Sequence, residues 1–576
     1  MMFIQFISKP LEKLTFFLIC LLCIIPPTIN HFLILYHDID TDILIVQYFA
    51  IAVTISYILT AMVYVLRKWK IIEVFSYIFL IGLLLLFFFL KITFGTNISP
   101  LLTTTIAETN IYESLEFLQY YVFCTKTLVS ILICLVTLVI AILSIKILLN
   151  KYSYFIKNAS SIIIIICFII SLTSLRIVKS LYECKNMNDI NEWYNKYYPY
   201  AMDNISTLLY SIYIPQIASN EVISVIKKTK ESIDKQANII NNDSLDVIFI
   251  IGESYIKYHA HLYGYYLPTT PNMDREHKNG NLFIFNDIIS PYNSTTLVIK
   301  NVLCTNSISD NELWSESIFF PSIFKHAGFN VYMWDNQKNL GSFLIYTFTI
   351  NFLLYNKDIM DMSYTKTNTK TYQYDGDLLK SYFSIKTAKH NFSIFHLMGQ
   401  HVLASKRYPK EFSKFTANNI QKKDKYLNHN KKQYIAEYDN ATLYNDYVLN
   451  MLFDKYRNKN AVIVYTSDHG EEVYDVRDEK GRNLDYKMDK NIIKYQNDVP
   501  LIVWCSDKYM SLHPKIIKDL LKSINKKGMI DNTYILLLRL AGIQTSLYNP
   551  ERDISSSKYI NKKRIIYDRF NYDIIK

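Results

Sequence analysis

Cysteine is scarce in the polar part of this sequence. Five of the eight cysteines lie in or beside long apolar runs, which leaves only Cys184, Cys304 and Cys505 elsewhere. Three scattered cysteines allow at most one disulfide bond, and none of them belongs to a C-x-x-C pair suited to zinc. The sequence therefore excludes a fold held together by a disulfide framework or by a cysteine zinc site.

Long blocks of one charge sign are also absent. The formal net charge of +11 is spread along all 576 residues, and the chain contains neither an internal repeat nor a nucleic-acid-binding motif. We therefore expect no nucleic-acid partner. A lysine-rich surface that favours anionic lipid is the simpler interpretation of the positive charge.

Long apolar runs dominate the first third of the chain. Five of them are long enough to cross a bilayer, which takes about 20 helical residues. They lie at 14–36, 43–66, 71–94, 122–149 and 160–178. Buried core helices are the alternative, but five such runs so close together favour a membrane domain. The first run is longer than a signal-peptide core and lacks a clear cleavage site, so we expect it to stay uncleaved.

Basic residues lie in alternate loops between these runs. Those on one side are Lys9, Lys13, Arg67, Lys68, Lys70, Lys151 and Lys157, whereas the opposite loops are acidic. By the positive-inside rule this pattern predicts a cytoplasmic N-terminus and an outer location for everything after the fifth run. Arg176 and Lys179 run against the rule but are outnumbered.

The rest of the chain is expected to be a bridge followed by an α/β domain. Residues 181–243 are mostly polar with aromatic clusters, as in interfacial helices or an ordinary linker. From residue 244, strand-like runs alternate with helical patterns, which predicts a mostly parallel sheet with helices on both faces. The predicted strands are 247–251, 282–285, 331–334, 393–396, 462–465 and 501–504.

Metal-capable side chains follow these strands. Glu253 comes after the first, His401 follows the fourth, and Asp468 and His469 follow the fifth. Because ligands bind beyond the carboxyl ends of parallel strands, we expect these groups to meet at one edge of the sheet.

Two carboxylates and one imidazole, from Glu253, Asp468 and His469, suit zinc or manganese better than an ion that prefers an all-oxygen shell. Thr295, at the start of a predicted helix, is the candidate nucleophile, because a hydroxyl beside such a metal loses its proton readily. Simpler interpretations stay open: an Asp-His pair can cap a loop, and a threonine at a helix start can be an N-cap.

Three motifs carry a family resemblance. "IIGESYIKYHAHLYGYYLPTTP", "FHLMGQH" and "YTSDHGEEVYD" resemble the bacterial phosphoethanolamine transferases of the alkaline phosphatase/sulfatase superfamily, which include lipid A and lipooligosaccharide modifiers and the mobile colistin-resistance enzymes. The resemblance covers nearly the whole chain. It implies a five-helix transmembrane domain (1–180), a bridging segment (181–243) and a periplasmic sulfatase-like α/β domain with a mostly parallel central sheet (244–576), in the bacterial inner membrane.

The resemblance also implies roles for individual residues. Glu253, Asp468, His469 and Thr295 match the family's zinc ligands, with manganese as the alternative metal. Thr295 matches the nucleophile that becomes modified with phosphoethanolamine, and Thr296 is the alternative register.

Other predicted site residues would contact substrate. His401 matches a histidine near the phosphate or a second zinc, and Asn336 is predicted to bind substrate. Thr109 and Glu113 match an outer loop that helps to hold the lipid donor. Many relatives carry a further histidine about a dozen residues after the Asp-His pair, where this chain has Arg482. Arginine binds phosphate but not metal, so a permanently filled second zinc site is in doubt, and Arg482 is expected to clamp phosphate with His401.

The function implied is transfer of phosphoethanolamine from phosphatidylethanolamine to an envelope glycolipid or glycan, with lipid A or core as the first expectation, through a covalent threonine intermediate. We expect a monomer. The alternatives are a glycerophosphate transferase of the lipoteichoic-acid-synthase type and a non-catalytic membrane scaffold. The sequence does not identify the acceptor.

Overall fold

The computed structural model describes residues 6–35, 41–94, 114–115, 117–172, 179–180, 183–186, 189–190, 193, 204–232, 237–239, 243–338, 350–482 and 489–575. The chain divides into two compact units, Met1–Ala218 and Ser219–Lys576. Each unit has its own packing.

The first unit is helical. Its long helices are Leu14–Leu35, Thr41–Val65, Lys70–Phe94, Thr125–Leu172 and Asn204–Ser232, the last of which continues into the second unit. Among the described residues, two helices are long and apolar enough to cross a bilayer, Lys70–Thr93 and Thr125–Ser144. Only 22% and 17% of their most apolar windows are buried, unlike the core helix of a soluble domain.

The structure differs from the sequence expectation at the last two apolar runs. The predicted break between 122–149 and 160–178 is not seen, because Thr125–Leu172 is one continuous helix of 48 residues. Leucine and isoleucine on both sides of the basic stretch favour helix without interruption. The count of five spans and the cytoplasmic N-terminus stay predictions, as do the domain boundaries at 180 and 243.

The second unit is built on a seven-stranded sheet. Its strands are β2 Leu245–Gly252, β3 Leu282–Phe285, β5 Asn330–Asp335, β6 Lys366–Thr367, β7 His390–His396, β8 Ala461–Ser467 and β9 Leu501–Cys505, in the order β3-β9-β8-β2-β7-β5-β6. All six predicted strands are confirmed in this sheet, and the two-residue edge strand β6 is the one strand of the sheet that was not predicted. The sheet is mixed: β9 runs antiparallel to both β3 and β8, and the other neighbours are parallel.

The central strand β2 is buried on both faces. Val247, Phe249 and Ile251 belong to one apolar cluster, and Ile248 and Ile250 belong to another. Because successive side chains of a strand point to opposite faces, this alternation places a hydrophobic core on each side of the sheet. Helices must therefore cover both faces, as the uninterrupted apolar sequence of β2 predicts.

The helices of the second unit supply these two cores. They are Pro271–Lys278, Thr295–Val302, Pro321–His326, Ile350–Tyr355, Lys357–Ser363, Asp375–Phe383, His429–Tyr456, Lys490–Asn497, Asp507–Leu512, Pro514–Ser523, Thr533–Leu540 and Tyr572–Ile575. Short two-stranded pairings complete the unit: β1 Ala237–Ile239 with β11 Ile543–Thr545, β4 Asp287–Ile289 with β10 Lys527–Met529, and β12 Ile565–Ile566 with β13 Phe570–Asn571.

Candidate metal centre

The register of the sheet brings the predicted metal-binding residues together. β2 lies between the parallel strands β8 and β7, and Gly252 pairs with Ser467 at the end of the ladder. The next residues along each strand are Glu253 and Asp468, so the two carboxylates leave the same edge side by side. The Asp468 backbone N–H donates to the Gly252 carbonyl at 3.0 Å, which fixes this alignment.

Glu253 is fully buried and held by several groups. The Ser254 hydroxyl donates to Glu253 Oε1 at 2.6 Å, and the Gln337 amide donates to Oε2 at 3.1 Å and to the Leu397 carbonyl at 2.8 Å. Ser254 has a positive φ of 55°, a strained conformation for a residue other than glycine. That conformation turns the Ser254 N–H toward Asp468 Oδ1, 3.1 Å away.

The hydrogen bonds of the His469 ring define its tautomer. Nδ1 lies 2.7 Å from the Gly470 carbonyl, to which it can only donate, and Nε2 lies 2.7 Å from the Arg482 guanidinium, which can only donate to it. Nε2 therefore carries a lone pair. It lies 3.0 Å from Asp468 Oδ2 and 3.5 Å from Glu253 Oε1.

Three electron-pair donors thus face one another in a buried space. Glu253, Asp468 and His469 each offer a ligand atom within 4.8 Å of the others, and all three residues are buried. Asp468 Oδ2 has no hydrogen-bond partner among the described residues. Such an arrangement is repulsive without a cation at its centre, and two carboxylates with one imidazole fit zinc.

The charge of Asp468 is favoured despite its burial. Burial opposes this charge, but Asp468 Oδ1 accepts hydrogen bonds from the backbone N–H groups of Ser254 and His469, at 3.1 and 2.7 Å, which stabilise the anion. The residue therefore stays an anionic ligand.

Thr295 points into this group. It is the first residue of the helix Thr295–Val302, and its hydroxyl lies 3.1 Å from Glu253 Oε2 and 3.3 Å from His469 Nε2. The side chain of the preceding Ser294 does not cap the helix. The structure thus places the Thr295 hydroxyl beside two of the three metal-capable groups, Glu253 and His469.

Arg482 lies on the other side of His469. Its guanidinium donates to the Asn293 carbonyl at 3.0 Å as well as to His469, and its Nε lies 3.7 Å from Glu471 Oε2. Glu471 is buried, and among the described residues its Oε2 has no hydrogen-bond partner. Arg482 therefore supplies a permanent positive charge next to the candidate metal centre.

Two histidines follow β7 with different surroundings. His396 Nδ1 lies 2.9 Å from Asp335 Oδ1. The other carboxylate oxygen of Asp335, Oδ2, accepts a hydrogen bond from the Tyr355 hydroxyl at 2.6 Å. His401 Nδ1 is buried with no partner among the described residues. Burial first, together with the nearby arginines, lowers the pKa of His401 to about 4. His401 is therefore neutral at pH 7 and able to accept a proton.

The predicted substrate residues have mixed placements. Asn336 is buried. Its side-chain amide donates to Asp375 Oδ1 at 2.8 Å and accepts from the Tyr372 N–H at 2.7 Å, so its nitrogen and its oxygen both form hydrogen bonds within the protein. Thr109 and Glu113 lie outside the described residues. The roles of all three stay predictions. Gln337 and Ser254, which position Glu253, were not predicted, although Gln337 stands at the end of a recognised strand.

A close backbone approach completes the site. Gly399 has a φ of +49°, and a Cβ atom there would lie 2.7 Å from the Glu253 carbonyl oxygen and 2.8 Å from its nitrogen. Only glycine fits against the backbone of Glu253 at this point.

Comparisons with known proteins agree with this geometry. Residues 246–538 match the family model described as Sulfatase. Phosphoethanolamine transferase EptC of Escherichia coli K12 is 28% identical over 335 residues, which cover 56% of this chain and 56% of that protein. The chain thus aligns with little more than half the length of this relative.

Two solved structures extend the comparison. The C-terminal periplasmic domain of EptC from Escherichia coli, in complex with Zn, is 25% identical and has a TM-score of 0.50, over 59% of this chain and 96% of that one. The integral membrane protein lipooligosaccharide phosphoethanolamine transferase A (EptA) from Neisseria meningitidis is 17% identical with a TM-score of 0.62. The alignment covers 94% of this chain and 98% of the EptA chain. At that identity the second likeness shows the fold alone, membrane region included.

Proposed function

Because the chain belongs to the sulfatase family, we propose that its metal centre carries out phosphoethanolamine transfer from phosphatidylethanolamine to an envelope glycolipid, with lipid A or core as the acceptor. The observation that carries the proposal is the Thr295 hydroxyl, 3.1 Å from Glu253 and 3.3 Å from His469. The similarity to EptC supports the nature of the transferred group.

Glu253, Asp468, His469 and Thr295 would hold the metal ion. Arg482, whose guanidinium donates to His469 Nε2 at 2.7 Å, would have to release that nitrogen to the metal. Zinc is favoured over manganese by the imidazole ligand and by the Zn complex of the related EptC domain. Zinc bound there would withdraw charge from phosphoryl oxygens and lower the pKa of the threonine hydroxyl.

The residues of the chain then account for two transfer steps. In the first, the Thr295 oxygen forms a bond to phosphorus, the bond from phosphorus to diacylglycerol breaks, and diacylglycerol leaves with a proton. Glu253 Oε2 already accepts the hydrogen of the Thr295 hydroxyl. Arg482, with five N–H donors, would hold a phosphoryl oxygen and keep the group in line.

In the second step an acceptor hydroxyl or phosphate oxygen attacks the phosphorus of the phosphoethanolamine-threonine intermediate. The bond from phosphorus to Thr295 breaks, and the threonine regains its hydrogen. His401 is the candidate to take the proton of an acceptor hydroxyl, because its buried Nδ1 has no hydrogen-bond partner among the described residues.

The first unit would deliver the lipid donor. We propose a multi-pass inner-membrane protein with a cytoplasmic N-terminus and a periplasmic catalytic domain, supported by the two exposed apolar helices and by the fold shared with an integral membrane protein.

Trapping the intermediate tests the proposal. The full-length chain in detergent is incubated with phosphatidylethanolamine without acceptor, digested, and the peptide containing Thr295 is analysed by mass spectrometry. A phosphoethanolamine adduct on Thr295 is expected. A glycerophosphate adduct from phosphatidylglycerol, with none from phosphatidylethanolamine, would establish the lipoteichoic-acid-synthase-like alternative, and no adduct from either lipid contradicts the transferase proposal.

A further inference from the structure

A buried histidine outside the metal centre has a carboxylate at each ring nitrogen. His259 Nδ1 lies 2.6 Å from Asp439 Oδ1, and His259 Nε2 lies 3.0 Å from Asp475 Oδ1. The side chain of His259 is 1% exposed and both aspartates are 0% exposed. We call these three residues the His259 bridge.

Both ring nitrogens of His259 must donate. Carboxylate oxygens only accept hydrogen bonds, so an imidazole that bonds to two of them carries both protons and a positive charge. Burial alone would lower the pKa of His259, but the two aspartates outweigh it and raise the pKa to about 9.

The surroundings of the His259 bridge compensate its charges. Lys422 forms an ion pair with Asp475, and the Tyr265 hydroxyl donates to Asp439 Oδ2 at 3.0 Å. Two cations thus face two carboxylates, and the cluster is neutral when His259 is protonated. The rings of Tyr265 and Tyr438 pack on the imidazole at 4.7 Å and 5.3 Å and exclude water.

The His259 bridge joins three separate segments. His259 follows Glu253 by six residues in the segment that leaves β2, and Asp475 follows Asp468 by seven in the segment that leaves β8. Asp439 belongs to the helix His429–Tyr456. One imidazole therefore ties both metal-bearing segments to the same helix.

The neighbour of Asp439 continues this link to the site itself. The Tyr438 hydroxyl donates to the Ser254 carbonyl at 2.5 Å and accepts from the Ile256 N–H at 2.6 Å. Ser254 in turn contacts Glu253 and Asp468 through its hydroxyl and its N–H. The helix thus supports the strained residue that sets the spacing of the two carboxylates.

We infer that His259 is a positioning residue, which as a doubly hydrogen-bonded imidazolium holds the Glu253 segment and the Asp468–His469 segment at the spacing that a shared metal ion needs. The inference rests on the proposed metal centre. His259 itself touches neither the metal ligands nor Thr295, among the contacts described, so its effect passes through the two loops.

Zinc affinity of the full-length chain in detergent tests the inference, by competition with a fluorescent zinc chelator at pH 7.5. His259→Gln is expected to weaken zinc binding about ten-fold, the effect typical of groups that orient metal ligands. The double variant His259→Gln with Asp475→Asn rebuilds both hydrogen bonds without the imidazolium, because the glutamine N–H donates to the Asp439 carboxylate and the glutamine carbonyl accepts from the amide of the asparagine introduced at position 475. This variant should recover zinc affinity to within about three-fold of the wild type.

His261→Gln is the matched control. His261 Nδ1 lies 2.6 Å from Asp274, a comparable pair only two residues along the chain, but the His261 side chain is 47% exposed and Asp274 lies on the helix Pro271–Lys278, which carries no predicted metal ligand. Zinc affinity should not change. Thermal unfolding midpoints of all variants show whether a loss of zinc binding is separate from a loss of folding.

The pH dependence supplies a second readout, measured on the metal-free chain. A raised histidine pKa stabilises the fold fully below pH about 6.5, and this stabilisation is lost as the pH rises through about 9. The unfolding midpoint of the wild type should therefore fall across this window more steeply than that of the double variant, which has no histidine at position 259 to titrate there.

The outcomes separate the two proposals. Zinc binding that is equal in the wild type and His259→Gln, or equally weak in the single and double variants, overturns the role of His259 alone. Equal pH profiles of the wild type and the double variant overturn it as well. A wild-type chain that binds no zinc contradicts the proposed function and the inference with it.

Discussion

Thr295 and Glu253 are 42 positions apart in the sequence, yet the Thr295 hydroxyl donates to Glu253 Oε2 at 3.1 Å. The contact joins the start of a helix to the end of the central strand. It gives the chain an alcohol at the edge of a group of metal-capable side chains, which is the arrangement that a covalent transfer requires.

Replacing Thr295 by alanine tests the nucleophile. Thr295→Ala should lower phosphoethanolamine transfer by at least about a thousand-fold, because it removes the hydroxyl that contacts both Glu253 and His469. Product formation is followed by mass spectrometry of the glycolipid, with the unfolding midpoint as a check on folding. Thr296→Ala is made in parallel, and a loss confined to that variant would transfer the role to Thr296.

Asp468 is expected to be indispensable for metal binding. Asp468→Asn keeps the shape of the side chain but removes the charge of the buried Oδ2, so zinc affinity should fall at least about ten-fold. Metal content after dialysis against a weak chelator measures the effect. Asp361→Asn, at a surface ion pair with Lys357, is the control, and zinc retained equally by both variants would remove Asp468 from the ligand set.

Arg482 is expected to limit the number of zinc ions that the site takes. Arg482→His should raise the zinc content from one toward two per chain, because an imidazole replaces a group that cannot ligate metal beside the buried Glu471. Elemental analysis of the dialysed protein gives the stoichiometry. Arg482→Gln removes the arginine without adding a ligand, so an equal zinc content in both variants speaks against a second site.

The close approach of Gly399 to the Glu253 backbone leads to a steric prediction. Gly399→Ala and Gly280→Ala both place a Cβ on a residue with positive φ, at a cost of about 1–2 kcal/mol each. Only the Gly399 variant also pushes against the Glu253 backbone, since nothing lies within 4 Å of a Cβ at Gly280. Gly399→Ala should therefore lose transfer activity as well, whereas Gly280→Ala should lose only stability; equal activity in the two variants contradicts this.

We expect Asp446, which is not part of the metal centre, to make the stability of the fold depend on pH. It accepts hydrogen bonds from the Asn272 and Met273 N–H groups at 2.9 and 2.8 Å, but burial raises its pKa to about 7. A raised carboxyl pKa stabilises the fold fully below pH about 4, and this contribution is lost as the pH rises through about 7. The unfolding midpoint of Asp446→Asn should vary less than that of the wild type between pH 4.5 and 7.5; parallel curves would refute the assignment.

The sequence was sufficient for the sheet because each strand is a short apolar run buried on both faces. The direction of β9 and the edge strand β6 were not predictable in the same way. Strand direction depends on where the connecting segment returns, and β6 is only two residues long, too short to leave a pattern. At Thr125–Leu172 the sequence predicted a break that the structure does not have. A short basic stretch does not by itself interrupt helical hydrogen bonding.

The site residues that come directly after a strand were predictable from the sequence. Glu253, Asp468 and His469 do so, and the structure brings them together with Thr295. The groups that hold them, such as Ser254, Gln337 and His259, depend on contacts between distant segments and on one strained φ angle, for which a single sequence carries no local signal.

The antiparallel pairing of β8 with β9 has a consequence for how this molecule can diversify. Because β9 starts where β8 stops, with Thr466 opposite Leu501, the stretch of chain from 468 to 500 departs from and returns to the catalytic edge. Asp468, His469, Asp475 and Arg482 all lie in this stretch, so its exchange by grafting would keep the register of the strands but would replace the residues of the candidate metal centre. Diversification of this stretch is therefore limited by the residues that hold the metal centre together.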